Sequence, residues 1–168
     1  MSTPMEQAVE VLCRYLQEQG LPARTAWPVG SRPELDFPVI AVSLRGCESA
    51  PAGFSGYLGE RLNPDTQQWE ERYGKAVKLT FGLDLYAAPG SDPGTVEQTW
   101  AALSQACLPP GPKGLTVGTF SCGETDYDQQ ARLLKRPAQL VCTALLVFTS
   151  TQEQGEFLDF EIRGERTL

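Results

Sequence analysis

The chain has 168 residues, 41% of them hydrophobic, which suits a single domain with one real core. Its formal charge of −7 argues against nucleic acid as a direct ligand, because a phosphate-binding surface needs clustered Lys and Arg. Histidine is absent, which excludes Ser-His-Asp and Cys-His nucleophilic catalysis and imidazole metal or proton chemistry.

Thr3-Pro4-Met5-Glu6 predicts a helix start: an N-cap, a proline at the first helical position and a capping-box glutamate. Met5, Ala8, Val9, Leu12, Tyr15 and Leu16 follow at helical spacing, and Gly20 fits the residue after the helix end. The same N-terminus has neither a basic nor an apolar leader region, so no signal peptide is expected. Leu21–Phe37, with three prolines, reads as an irregular connection, and Val39–Leu44 as the first strand. Arg45–Gly53 reads as a loop or an irregular edge.

Asn63-Pro64-Asp65-Thr66 is a strong turn signal between two extended arms, predicting a hairpin over 54–75. Gly74–Ala88 is the clearest stretch of the chain. Val77, Leu79, Phe81, Leu83 and Leu85 fall on one side, and Ala76, Lys78, Thr80, Gly82, Asp84 and Tyr86 on the other, so one face should be buried and one wet. Trp69–Tyr86 extended throughout would reach on the order of 60 Å, so it should bend at Gly74 or project beyond the domain body. A second helix is predicted from about Gly94 to Cys107, with Thr95 and Gln98 resembling a capping box and Val96, Trp100, Leu103 and Cys107 on one face. Leu115–Gly123 and Ala138–Ser150 are strands; the latter is apolar on both faces and should lie centrally. Glu124–Arg136 between them predicts a second long hairpin, and 156–168 a terminal strand or arm. The expectation is one α+β domain over 1–168: a mostly antiparallel, mixed sheet with two helices packed on one face and long projecting hairpins.

Candidate chemistry is sparse. Gly74-Lys75 lacks the upstream glycine and following hydroxyl of a phosphate-binding loop, and the prolines of Gly111-Pro112-Lys113-Gly114 point to a plain turn. The carboxylate pairs Glu70/Glu71, Glu124/Asp126 and Asp126/Asp128 could do acid–base work or hold an oxygen-ligated metal. An acidic chain produces such spacings by chance, and solvated surface is the plainer reading. The five cysteines, Cys13, Cys47, Cys107, Cys122 and Cys142, form no CxxC pair and read as buried free thiols. No cofactor, no metal and no catalytic residue is expected. Tyr57, Trp69 and Tyr73 on the first hairpin either fold back over the core or make a subunit contact.

Gly53-Phe54-x-x-Tyr57-Leu58-Gly59-Glu60, Glu71-Arg72-Tyr73-Gly74-Lys75, Val77–Tyr86, Phe157-Leu158-Asp159-Phe160 and Arg163-Gly164 resemble a family of small phage and prophage structural proteins. Size and element order are similar to those of tail terminator (tail completion) proteins of long-tailed phages. The resemblance implies a non-catalytic subunit, monomeric when isolated, that forms a homo-oligomeric, hexameric ring at the end of the tail tube. It implies phage tail or head–tail proteins as partners, no specific nucleic-acid binding and no membrane, and a location in the bacterial cytoplasm during assembly and then in the virion tail. Under it, Phe54, Tyr57, Trp69, Tyr73, Asp126 and Tyr127 are the expected protein-interaction residues. The alternatives are a head–tail connector or baseplate adaptor and, third, a hydrolase using paired carboxylates.

Overall fold

The computed structural model of the chain describes residues 3–25, 38–51, 56–151 and 157–163. Helix α1 spans Pro4–Glu18 and begins as the sequence dictates. The Thr3 side chain accepts from the Glu6 amide, Glu6 accepts from the Thr3 amide, and Gly20 takes a φ of +80° beyond the last turn. Helix α2 spans Pro93–Ala106, and its cap differs from expectation. Asp92 is the N-cap and accepts from the Gly94 amide, while the Thr95 hydroxyl donates to the same carboxylate. An Asp one residue before proline outcompetes a Thr two residues inside the helix, because only the former has the extended backbone of a cap.

The described strands are β1 (Ala23–Arg24), β2 (Val39–Pro51), β3 (Tyr57–Leu62), β4 (Trp69–Ala87), β5 (Thr116–Cys122), β6 (Asp126–Asp128), β7 (Leu133–Arg136), β8 (Ala138–Thr151) and β9 (Phe157–Arg163). They form one sheet, antiparallel except for the β1–β2 pair. Its spine is the pairing of β4 with β8, continuous from Glu70 opposite Thr151 to Gly82 opposite Gln139. The other edge of β4 carries β2 along Lys75–Tyr86 and β3 along Trp69–Tyr73. The other edge of β8 carries β5 and β9. β7 continues the line of β8 against Leu85–Ala87, and β6 pairs with β7. The apolar run of β8 is therefore central because both its edges are occupied.

One hydrophobic cluster joins α1, α2 and the sheet. Ala8, Leu12, Leu16, Trp100 and Leu103 lie in it with Val77, Leu79, Phe81, Leu83 and Leu85 of β4 and Leu140, Cys142 and Ala144 of β8. The Tyr15 hydroxyl donates to the Ala106 carbonyl at 3.0 Å, tying the two helices together.

Of the two readings of the stretch after Leu44, the irregular edge holds over 45–51 and the loop does not: the register slips between Leu44 and Gly46, so Arg45 is a bulge residue and β2 runs on. Three expectations need correction. The irregular connection contains the short parallel strand β1. The 124–136 segment forms three-pair β6–β7 contacts only, and β7 is laid onto β4. The far end of the wet face is not wet: Gly82, Asp84 and Tyr86 are buried. The bulge aims Arg45 across Gly82, where an added Cβ would sit 2.5 Å from the Arg45 Nε, so that the guanidinium Nη2 reaches both Asp84 carboxylate oxygens at 2.6 Å. Lys135 approaches the same carboxylate at 3.7 Å.

Three of the five thiols are buried as expected, Cys13, Cys107 and Cys142, while Cys47 and Cys122 are exposed. Burial pushes the Cys107 and Cys142 thiols up to about 12. A thiol-reactive chromophore at neutral pH is therefore expected to label Cys47 and Cys122 rapidly and the other three only on unfolding. Mass spectrometry of the labelled peptides checks the assignment.

Candidate functional site

The residues predicted to meet a partner converge at the Trp69 end of β4, where β3 folds back beside it. Asn63 builds the turn. Its side-chain oxygen accepts from the Asp65 and Thr66 amides at 2.9 and 3.3 Å, and Gln67 takes a φ of +57° to bring the chain round. Tyr57 then lies opposite Tyr73, Glu60 opposite Glu71, and Leu62 opposite Trp69. These six alternate onto the side of β4 that carries Val77 and Leu79 deeper in the core. The expected two-stranded arm is instead four strands wide, since β8 and β9 back β4 on its other edge.

The aromatic groups neither fold back over the core nor disperse. Tyr57 is 43% exposed, Leu62 43% and Trp69 55%. The Tyr57 and Tyr73 rings meet edge to face with centroids 5.6 Å apart. The Tyr73 hydroxyl donates to Glu71 Oε2 at 2.7 Å, and that bond, ahead of burial and the nearby carboxylates, pushes the phenol up from its usual value. Tyr57 is raised too, by desolvation first and then by Glu60 and Glu71. Both carboxylates are thus felt by both phenols, and this side of the sheet end is electronegative.

The opposite side of the same strands is a closed polar network. Glu70 is only 3% exposed; Arg61 Nε reaches it at 3.1 Å and Asn63 Nδ2 at 2.7 Å. The Asn63 hydrogen bond is the leading cause of a lowered Glu70 carboxyl, with Arg61 and Arg72 adding to it and desolvation opposing. A carboxyl lowered by folding contributes stability above its unfolded value and loses it as pH falls through the folded one. The β3–β4 pairing is therefore expected to weaken as pH drops below 4.5, the ordinary glutamate value, and Glu70→Gln should flatten that dependence. Amide exchange of Trp69–Tyr73 followed against pH in both proteins checks it.

Gly74 marks the end of this patch. A Cβ there would lie 2.7 Å from Leu58 Cδ1, so glycine is what lets the bulged Leu58 close over the strand.

The remaining expected site residues lie elsewhere. Phe54 falls outside the described residues. Asp126 and Tyr127 sit on β6. Asp126 accepts from the Tyr127 amide, and Tyr127 is 47% exposed. Asp126 pairs with Lys135, itself opposite Tyr86, whereas Glu60 pairs with Glu71. Along β4 those positions are on the order of 50 Å apart. Glu60 and Asp126 therefore cannot share one catalytic pocket, and Asp128 is occupied in holding the Gln130 and Ala131 amides. Glu70 and Glu71 point to opposite sides of the sheet. Among the described residues no three Cys, Asp or Glu side chains converge as a metal site, and no helix is long and apolar enough to cross a membrane.

Two features were missed by sequence reasoning. Glu60 and Leu62 belong to the patch, and two-residue alternation back from the turn would have found them. The Arg45–Asp84–Lys135 cluster was not legible, because it depends on a bulge and on strands distant in sequence. No protein-family model matches the chain, and no curated protein matches it.

Proposed function

We propose that this protein is a virion assembly subunit of a phage or prophage tail, similar to tail terminators, that oligomerises into a ring at the end of the tail tube. In this reading both helices cover one face of the sheet, and the end of the sheet built on Trp69–Gly74 extends past them to meet a neighbouring subunit or tail protein. The observation that supports it is the exposed Tyr57, Leu62 and Trp69 on one side of rigid, hydrogen-bonded strands. Exposed aromatics on a well-ordered element are the usual anchors of protein interfaces. A ring needs two different surfaces per subunit, and Tyr127 on β6 lies toward the other end of β4, where a second contact would sit. The role requires no cofactor and no catalysis.

Electron microscopy of particles lacking the protein tests the role. Overlong tails support a terminator. Tails of normal length joined to heads contradict it, and tails of normal length without heads favour the head–tail connector.

A further inference from the structure

The sheet is four strand lines wide. β2 and β3 share one edge of β4, β7 and β8 lie in line along its other edge, and β6, β5 and β9 flank β7 and β8 on the outside. Each of these pairings is antiparallel, so the two outer lines run in opposite directions. They also match in level. Gln139 joins Ser121 of β5 to Gly82, which pairs with Ser43; Thr143 joins Thr116 of β5 to Lys78, which pairs with Glu48. A second copy set alongside in the same orientation therefore brings its β5 antiparallel to β2.

The outer edge of β2 is open to such a strand. The Ile40 amide points outward, donating to the Pro22 carbonyl at 2.9 Å, and β1 pairs only with Ile40 and Ala41. Following the register past the bulge, the amides of Leu44, Cys47 and Ser49 face outward too, and Pro51, which has no amide, takes the next outward place. Among the described residues no strand pairs with residues 43–51 on that side, nor with β5 on the side away from β8.

Resting on the assembly reading above, we propose that neighbouring copies of this chain join through their sheet edges, β5 of one copy adding a strand to residues 43–49 of β2 of the next. Charge permits this contact on a chain of −7: β5 has no charged side chain, and Arg45 and Glu48 offset each other on β2. A β2-to-β2 pair would leave β5 open on both copies, whereas the head-to-tail contact covers both edges and repeats round a ring. The bulges at Arg45 and between Val117 and Phe120 twist both edges, which limits pairing by other strands.

Cys47 on β2 and Cys122 on β5 are the exposed thiols, one on each edge. Cys47→Ser and Cys122→Ser proteins, mixed with each other and with tail tube protein and treated with a flexible bismaleimide, test the contact. A covalent dimer is expected from the mixture, joining Cys122 of one copy to Cys47 of the other, and from neither variant alone. Ser49→Pro removes an outward amide and leaves the ladder to β4 intact, so it should weaken assembly roughly tenfold or more without lowering the melting curve. A covalent dimer from Cys122→Ser alone would overturn the proposal, since it shows β2 paired with β2. A multi-subunit complex with no crosslink in the mixture and no effect of Ser49→Pro would overturn it and leave the assembly reading standing. No complex from the parent at all would overturn both.

Discussion

Phe81→Ala is expected to destabilise the protein by about 3–5 kcal/mol, the range for deleting a fully buried phenylalanine from a core that cannot collapse around the void. Phe81 is fully buried at the middle of β4, between Leu44 on β2 and Leu140 on β8. Phe81 belongs to the buried cluster that also holds Leu12, Leu16, Trp100 and Leu103. For a chain of this size the melting midpoint should fall by roughly 6–20 °C. Urea unfolding with an unchanged slope would show that stability was lost with the unfolding unit kept intact. A loss below about 1 kcal/mol would mean that the helices and the sheet do not share one core.

Asp84→Ala is the second large effect, about 2–3 kcal/mol. Asp84 is 8% exposed and answers two cations, Arg45 at 2.6 Å and Lys135 at 3.7 Å. Truncating it leaves both positive groups over the buried Gly82–Tyr86 surface without their counter-charge. The figure lies below that of a fully buried pair because Arg45 and Lys135 keep about a third of their surface in water. The cluster should be non-additive. Once Asp84 is alanine, Arg45→Met should cost less than it does in the parent, and a double-mutant cycle on melting curves measures the difference. Gly82→Ala should mimic part of the loss from the other side, as its methyl group occupies the path of the Arg45 side chain.

The two effects show what the sequence could and could not reveal. Phe81 was legible because strict two-residue alternation and burial have the same cause: one side of a strand faces the core. The capping box of α1 was legible because its hydrogen bonds span only three residues. Asp84 read as solvated for the same reason that Phe81 read as buried, and there the inference failed. Alternation says which side a residue is on and not what crosses that side. Arg45 crosses it only because a bulge breaks the period, and Lys135 only because β7 docks onto the end of β4. The aromatic patch stands between these cases. Tyr57, Trp69 and Tyr73 were expected to share a hairpin and do, since Asn63-Pro64-Asp65-Thr66 fixes the turn locally. Their backing by β8 and β9 was hidden because those strands arrive some eighty residues later in the chain. The hydrogen-bonded support from β8 changes the character of the site. An isolated two-stranded arm would have to order on binding, whereas β4, held by β3 on one edge and β8 on the other, presents its aromatics at lower entropic cost.

The most direct measurement of the assembly claim is light scattering of the purified protein mixed with tail tube protein, comparing the parent with Trp69→Ala. Trp69 is more than half exposed, so its removal should leave the melting curve within about 0.5 kcal/mol of the parent. The account predicts a multi-subunit complex for the parent and none for Trp69→Ala at the same concentrations. A folded Trp69→Ala protein that assembles as fully as the parent would contradict it.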